Sequence, residues 1–143
     1  MNNRKIIILR RNIAAFILLQ LIFVPVINVK SQLSYLGKGW AQNSINTVIF
    51  RKNSVVSFKG EQYAAYYDST GSVVLARRKY GTNNWTLFKT QHSGNINDAH
   101  CSISIMVDGD GFLHMAWGQH DNPLSYCKSV LPDSVLILPS APF

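Results

Sequence analysis

From residue 32 onward, apolar positions seldom recur at the three-to-four-residue spacing of a helix. Short runs rich in β-branched and aromatic residues alternate with polar ones and are cut by Gly, Asn and Asp, which is the pattern of strands and turns. The fold class this predicts is all-β. Sliding the chain against itself produces a register at an offset of 51 residues: Gly60 to Tyr66 (GEQYAAY) lies over Gly111 to Trp117 (GFLHMAW), with Gly and Ala coincident and aromatic over aromatic. The same offset sets Val73 to Arg78 over Leu124 to Ser129, and Trp85 to Phe88 over Leu136 to Pro139, without a gap.

Each unit therefore reads as four strands. In the first they are Val55–Phe58, Gln62–Tyr67, Ser72–Lys79 and Trp85–Lys89; in the second, Ser102–Val107, Phe112–Gly118, Leu124–Ser129 and Ser134–Leu138. A four-stranded meander recurring at about 50 residues is the signature of a propeller blade. Blade 1 is expected at about 45–90 and blade 2 at about 98–139. Two blades cannot close a ring, so an incomplete propeller is expected, with its remaining blades missing.

The first 31 residues follow another pattern. A basic start (MNNRKIIILRRN) precedes 17 uncharged residues, Ile13 to Val29, and then Lys30 and Ser31. This is the layout of a secretory signal peptide over 1–31, with Val29 and Ser31 suiting the small-residue pockets of a signal peptidase. A secreted or periplasmic protein follows, with no membrane association after cleavage. Cleavage removes five of the 14 basic residues and none of the seven acidic ones. The remaining nine against seven leave a charge near +2, too small to argue for nucleic acid. Residues 32–143 suffice for one small domain. Cys101 and Cys127 fall on the first and third strands of one sheet, about 9.6 Å apart at two strand spacings, so two free, packed thiols are expected.

Three of the four histidines lie in one stretch, Asp98 to Asp121 (DAHCSISIMVDGDGFLHMAWGQHD). Val107 to Phe112 has turn chemistry; it resembles the start of a calcium loop, but the further oxygen ligands and a distal Glu are missing. With a four-residue turn from Asp108 to Gly111, Val107 faces Phe112. His100 then lies opposite Gln119 and diagonal to His120, within the ~5–8 Å of near cross-strand neighbours. Asp98 and Asp121 flank that end, and either carboxylate can orient a ring. His100 and His120 are the candidate acid/base pair. Gln119 and Asp121 beside them, and Arg77 in the basic run Ala76 to Gly81, are candidates for contact with an anionic substrate. His114, inside a strand, is expected to be a half-buried ring satisfied by a neighbour. A zinc site would need a third ligand, and His92 is expected in the loop between blades, so neither a metal nor a cofactor is expected.

These residues also carry a resemblance. Asn43 to Gly81 followed by Asp98 to Ser129 resembles the opening blades of the BNR-repeat family of secreted bacterial proteins, chiefly through the His, VDGDG, His, Trp, His pattern of the second stretch. The resemblance implies a seven-bladed β-propeller of which this chain is the N-terminal part, acting on an acidic polysaccharide that carries rhamnose and uronic acid. Lyase-like members cleave by β-elimination, others are α-L-rhamnosidases, and a non-catalytic carbohydrate-binding propeller is a further alternative. In lyase-like members two active-site histidines match His100 and His120. Their companions, a Tyr and an Arg, would fall beyond Phe143, so turnover is not expected from this chain alone. Where the family often has Asp-His-His, this chain has Gly118-Gln119-His120-Asp121, which keeps His120 and changes its neighbours.

Overall fold

The computed structural model describes residues 33–47, 53–123 and 125–136. The expected signal peptide lies outside the described residues. Among the described residues there are seven strands: β1 (Val55–Phe58), β2 (Glu61–Tyr67), β3 (Ser72–Lys79), β4 (Thr86–Ser93), β5 (Ser104–Val107), β6 (Leu113–Trp117) and β7 (Ser125–Lys128). They form two antiparallel meanders in chain order, β1-β2-β3-β4 and β5-β6-β7. The all-β expectation holds, and among the described residues there is no helix.

The second sheet differs from the expected four strands. Ser134 to Leu136 form no strand, although the Val130 N–H donates to the Leu136 carbonyl at 2.9 Å; positions 137 and 138 lie outside the described residues. The last strand of the first sheet is also longer than expected. It carries His92 inside β4, not in a connecting loop.

Turn chemistry explains the meanders. Lys59 and Gly60, both at positive φ (44° and 83°), make the two-residue hairpin between β1 and β2, whose backbone twist matches that of paired strands. Asp68 to Gly71 and Asp108 to Gly111 close two further hairpins in one manner. In each, the Asp Oδ1 accepts the amides two and four residues on, at 2.8–3.1 Å, and a glycine at φ 78° or 94° turns the chain back.

Side chains at odd positions of β2, β3, β5 and β6 point into the space between the sheets, as the period of two demands. Tyr63, Ala65, Tyr67, Val73, Leu75, Ile105, Leu113, Met115 and Trp117 form one buried cluster, together with Ile45, Cys101, Ile103, Cys127 and Val135. Both cysteines are free and buried, as expected, although Cys101 precedes β5 and is not on it. Hydrogen bonds tie the sheets together, among them Ile105 N–H to the Asn53 carbonyl (2.7 Å), Tyr67 Oη–H to the Cys101 carbonyl (2.8 Å) and Trp117 Nε1–H to the Ser93 carbonyl (3.1 Å). The Tyr67 and Trp117 bonds fasten the segments that flank the histidine-bearing end.

The 51-residue repeat is visible in the pairing. Ala64 pairs with Ala76, and 51 residues on, Met115 pairs with Cys127. The first hairpins of the two units differ by one residue. Val56 pairs with Tyr63, whereas Val107 pairs with Leu113 and not with His114. The second unit's turn is one residue longer: the Asp108 N–H donates to the Phe112 carbonyl at 3.0 Å, and Gly109 to Gly111 form the loop. The expected facing of Val107 with Phe112 is thus corrected by one position. Extended along the hairpin, the true register sets His100 opposite His120.

Candidate functional site

Both imidazoles sit just beyond the paired part of the β5–β6 hairpin. On the entering side the chain turns before the strand: Asp98 accepts the Cys101 N–H on its carbonyl (3.1 Å) and the His100 N–H on Oδ1 (2.9 Å). That side-chain-to-amide bond is a common device of Asp in turns. On the leaving side, Gly118 at φ 66° ends β6, and Asn122 Nδ2 holds the His120 carbonyl at 2.6 Å.

The two rings meet at a centroid distance of 4.4 Å with 35° between their planes. One carboxylate lies between their Nδ1 atoms. Asp98 Oδ1 is 2.7 Å from His100 Nδ1, and Asp98 Oδ2 is 2.5 Å from His120 Nδ1. An ionised carboxylate only accepts, so both Nδ1 atoms donate, which leaves each Nε2 as the lone-pair nitrogen of a neutral ring. The hydrogen bonds from His120 and from the His100 amide and ring hold the Asp98 carboxyl well below the usual carboxylate range. The rings are accessible, with side chains 51% (His100) and 40% (His120) exposed.

The remaining candidates fall as follows. Asp121, at φ 53° and with its side chain 98% exposed, keeps Oδ2 4.0 Å from His120 Nε2. Of the two flanking carboxylates it is therefore Asp98 that orients the rings. Gln119 Nε2 donates to the Trp117 and Pro123 carbonyls (3.1 and 3.3 Å) and so braces the loop that carries His120. Arg77 is in the other sheet, where its Nε donates to Glu61 Oε2 at 3.1 Å and its guanidinium lies 5.9 Å from the Tyr63 ring. It lines an open groove with Lys89 and Ser134 to Leu136. The adjacent Asp133 bonds to Gly111 at the turn end of the hairpin, opposite the imidazoles.

His114 matches its expectation. Its Nδ1 is 2.6 Å from Tyr126 Oη and its Nε2 is 2.9 Å from Asp108 Oδ2, which leaves neither nitrogen idle. That bond, with the Phe112 amide, lowers the Asp108 carboxyl to about 2. The loop that resembles a calcium site thus spends its first carboxylate on the protein itself. His92 is buried and its ring packs at a tilt against Trp117, with centroids 4.5 Å apart. The third donor beside the two rings is Asp98, and one ligand atom from each of Asp98, His100 and His120 lies within 4.8 Å of the others.

The sequence pattern of the BNR repeat-containing family matches residues 61–140, more than half of the chain. The chain belongs to this family. Among solved structures the BNR chain is similar to a polysaccharide lyase, an ulvan lyase, with a TM-score of 0.59 and 16% sequence identity over 74% of this chain and 29% of that one. The BNR chain thus spans under a third of that structure's length, and the likeness is one of fold. No curated protein matches it.

Proposed function

We propose that this BNR chain is part of a secreted, polysaccharide-active β-propeller in which His100 and His120 perform acid–base work on uronic-acid-containing glycans by β-elimination. The observation that carries this reading is the single Asp98 carboxylate clamping the Nδ1 atoms of two accessible rings whose centroids lie 4.4 Å apart. In the elimination, one neutral ring takes the proton α to the uronate carboxylate at its Nε2. The electron pair of that C–H bond forms the new C=C bond, the β C–O bond breaks, and the leaving oxygen receives a proton from Nε2–H of the other ring as an imidazolium. One carboxylate balances one imidazolium, so Asp98 matches the charge state this division of labour needs. A polysaccharide lyase among structures of similar fold supports the substrate class.

Elimination also needs a group that quiets the uronate carboxylate. Arg77 lies in the other sheet, in a groove beside the segment that meets the turn end of the hairpin, and the sequence resemblance implies that such a group comes from later blades. The test has two arms. An oligosaccharide of alternating rhamnose and glucuronate is titrated into the chain while the imidazole carbon-bound proton resonances are followed; shifts confined to His100 and His120 are expected. A longer form carrying further blades is assayed for the ultraviolet absorbance of an unsaturated uronate, expected to be lost in His100→Ala and His120→Ala. Reducing ends without that absorbance would make the protein a hydrolase. Binding without either product would make it a carbohydrate-binding module.

A further inference from the structure

We propose that Asp98, His100 and His120 also form a site for a transition-metal ion of the zinc class, and that ion and catalytic proton exclude each other there. Two imidazole nitrogens and a carboxylate oxygen, drawn from one turn and one loop that a hairpin brings together, supply three donors within 4.8 Å of one another. That donor set suits zinc, cobalt and their neighbours. Calcium and magnesium prefer all-oxygen shells.

The geometry needs little adjustment. Tetrahedral zinc with bonds of about 2.1 Å holds its donors about 3.4 Å apart. The present separations of 2.7 Å from Asp98 Oδ1 to His100 Nδ1 and 2.5 Å from Asp98 Oδ2 to His120 Nδ1 are those of hydrogen bonds, and the donors lie within 4.8 Å of one another, so an ion replacing the bridging protons needs donor shifts of no more than about 1–1.5 Å. None of the three is packed in the core: the Asp98 side chain is 28% exposed and both rings more so. Three protein ligands leave a fourth position for water or for an oxygen of a bound sugar.

The proton balance gives the exclusion. A neutral ring that binds an ion through Nδ1 moves its proton from Nδ1 to Nε2 through solvent, and an imidazolium releases its Nδ1 proton outright. In both cases Nε2 ends as N–H, and no ring is left with a basic nitrogen facing outward. That consequence for turnover rests on the acid–base reading above; the ion site itself does not.

The test uses the whole chain and the metals alone. Cobalt(II) is added and its visible d–d absorption followed, with zinc displacing it. Saturation at one ion per chain is expected, with the absorption lost in His100→Ala, His120→Ala and the near-isosteric Asp98→Asn, and retained in His114→Gln. Circular dichroism checks that each variant is folded. Nitrogen NMR of the imidazoles is expected to show both rings switching from Nδ1–H to Nε2–H on zinc addition. Absence of the cobalt band, its survival in the His100→Ala/His120→Ala double variant, or displacement by millimolar calcium overturns the site. A cobalt band with no tautomer switch on zinc overturns the exclusion. None of these outcomes depends on whether the protein cleaves a polysaccharide.

Discussion

At the scale of the residue, the Asp98 and Asp108 carboxyls are each held below the ordinary carboxylate value by hydrogen bonds to a histidine. A depressed carboxyl contributes stability that is fully present above the unfolded value near 3.9 and is lost as pH falls through the folded one. For Asp108, lowered to about 2, the window runs from about pH 4 down to about pH 2. Asp108→Asn is expected to flatten the acid limb of a urea-midpoint-against-pH profile over that range, whereas a parallel displacement of the whole profile would mean the carboxylate's charge is irrelevant. The thiols give a second prediction. Burial raises both, Cys127 to about 11, so neither is expected to react with an alkylating reagent at neutral pH until the chain unfolds. Rapid native-state labelling would show that the core described here is open.

At the scale of the element, strand positions were readable from alternation and turn residues, and all seven strands lie where the pattern sets them to within a few residues. The register of the β5–β6 hairpin was not readable, because it turns on whether Asp108 closes a four-residue turn or a loop one residue longer. That choice is made by Gly111 at φ 94° and by the bond from the Asp108 amide to the Phe112 carbonyl, neither of which composition reveals. The same limit governs the site. Asp98 and Asp121 are equivalent in sequence, one on each flank, and the turn around Asp98 decides between them. The glycine-closed turns are testable. Gly71 has φ 78° and its missing Cβ would lie 3.1 Å from the Gly94 carbonyl oxygen. Gly71→Ala is therefore expected to cost more than ~1 kcal/mol in chemical denaturation. Gly109→Ala, at a position with open space around it, is expected to cost less, and equal losses would contradict the turn geometry.

At the scale of the whole molecule, the site depends on two sheets packing through one core. Leu75, in β3 and fully buried, contacts that core from the sheet that does not carry the imidazoles. Leu75→Ala is expected to destabilise by about 2–5 kcal/mol and to unfold both sheets in one transition; two separated transitions would show that they fold apart. Tyr67 ties the sheets beside the site through its bond to the Cys101 carbonyl, so Tyr67→Phe is expected to loosen the turn before β5 at a cost of about 1 kcal/mol. The repeat at 51 residues made the two-sheet plan legible. The three-stranded second sheet was not legible, because Ser134 to Leu136 alternate as a strand does but leave the ladder after Ser129. The central claim is that one carboxylate holds both imidazoles by Nδ1, and long-range proton–nitrogen NMR of the neutral rings tests it most directly. His100 and His120 are both expected to be Nδ1–H in the wild type, and both are expected to lose this preference in Asp98→Asn. Nε2–H as the resting tautomer of either ring, or Nδ1–H surviving in the variant, would contradict it.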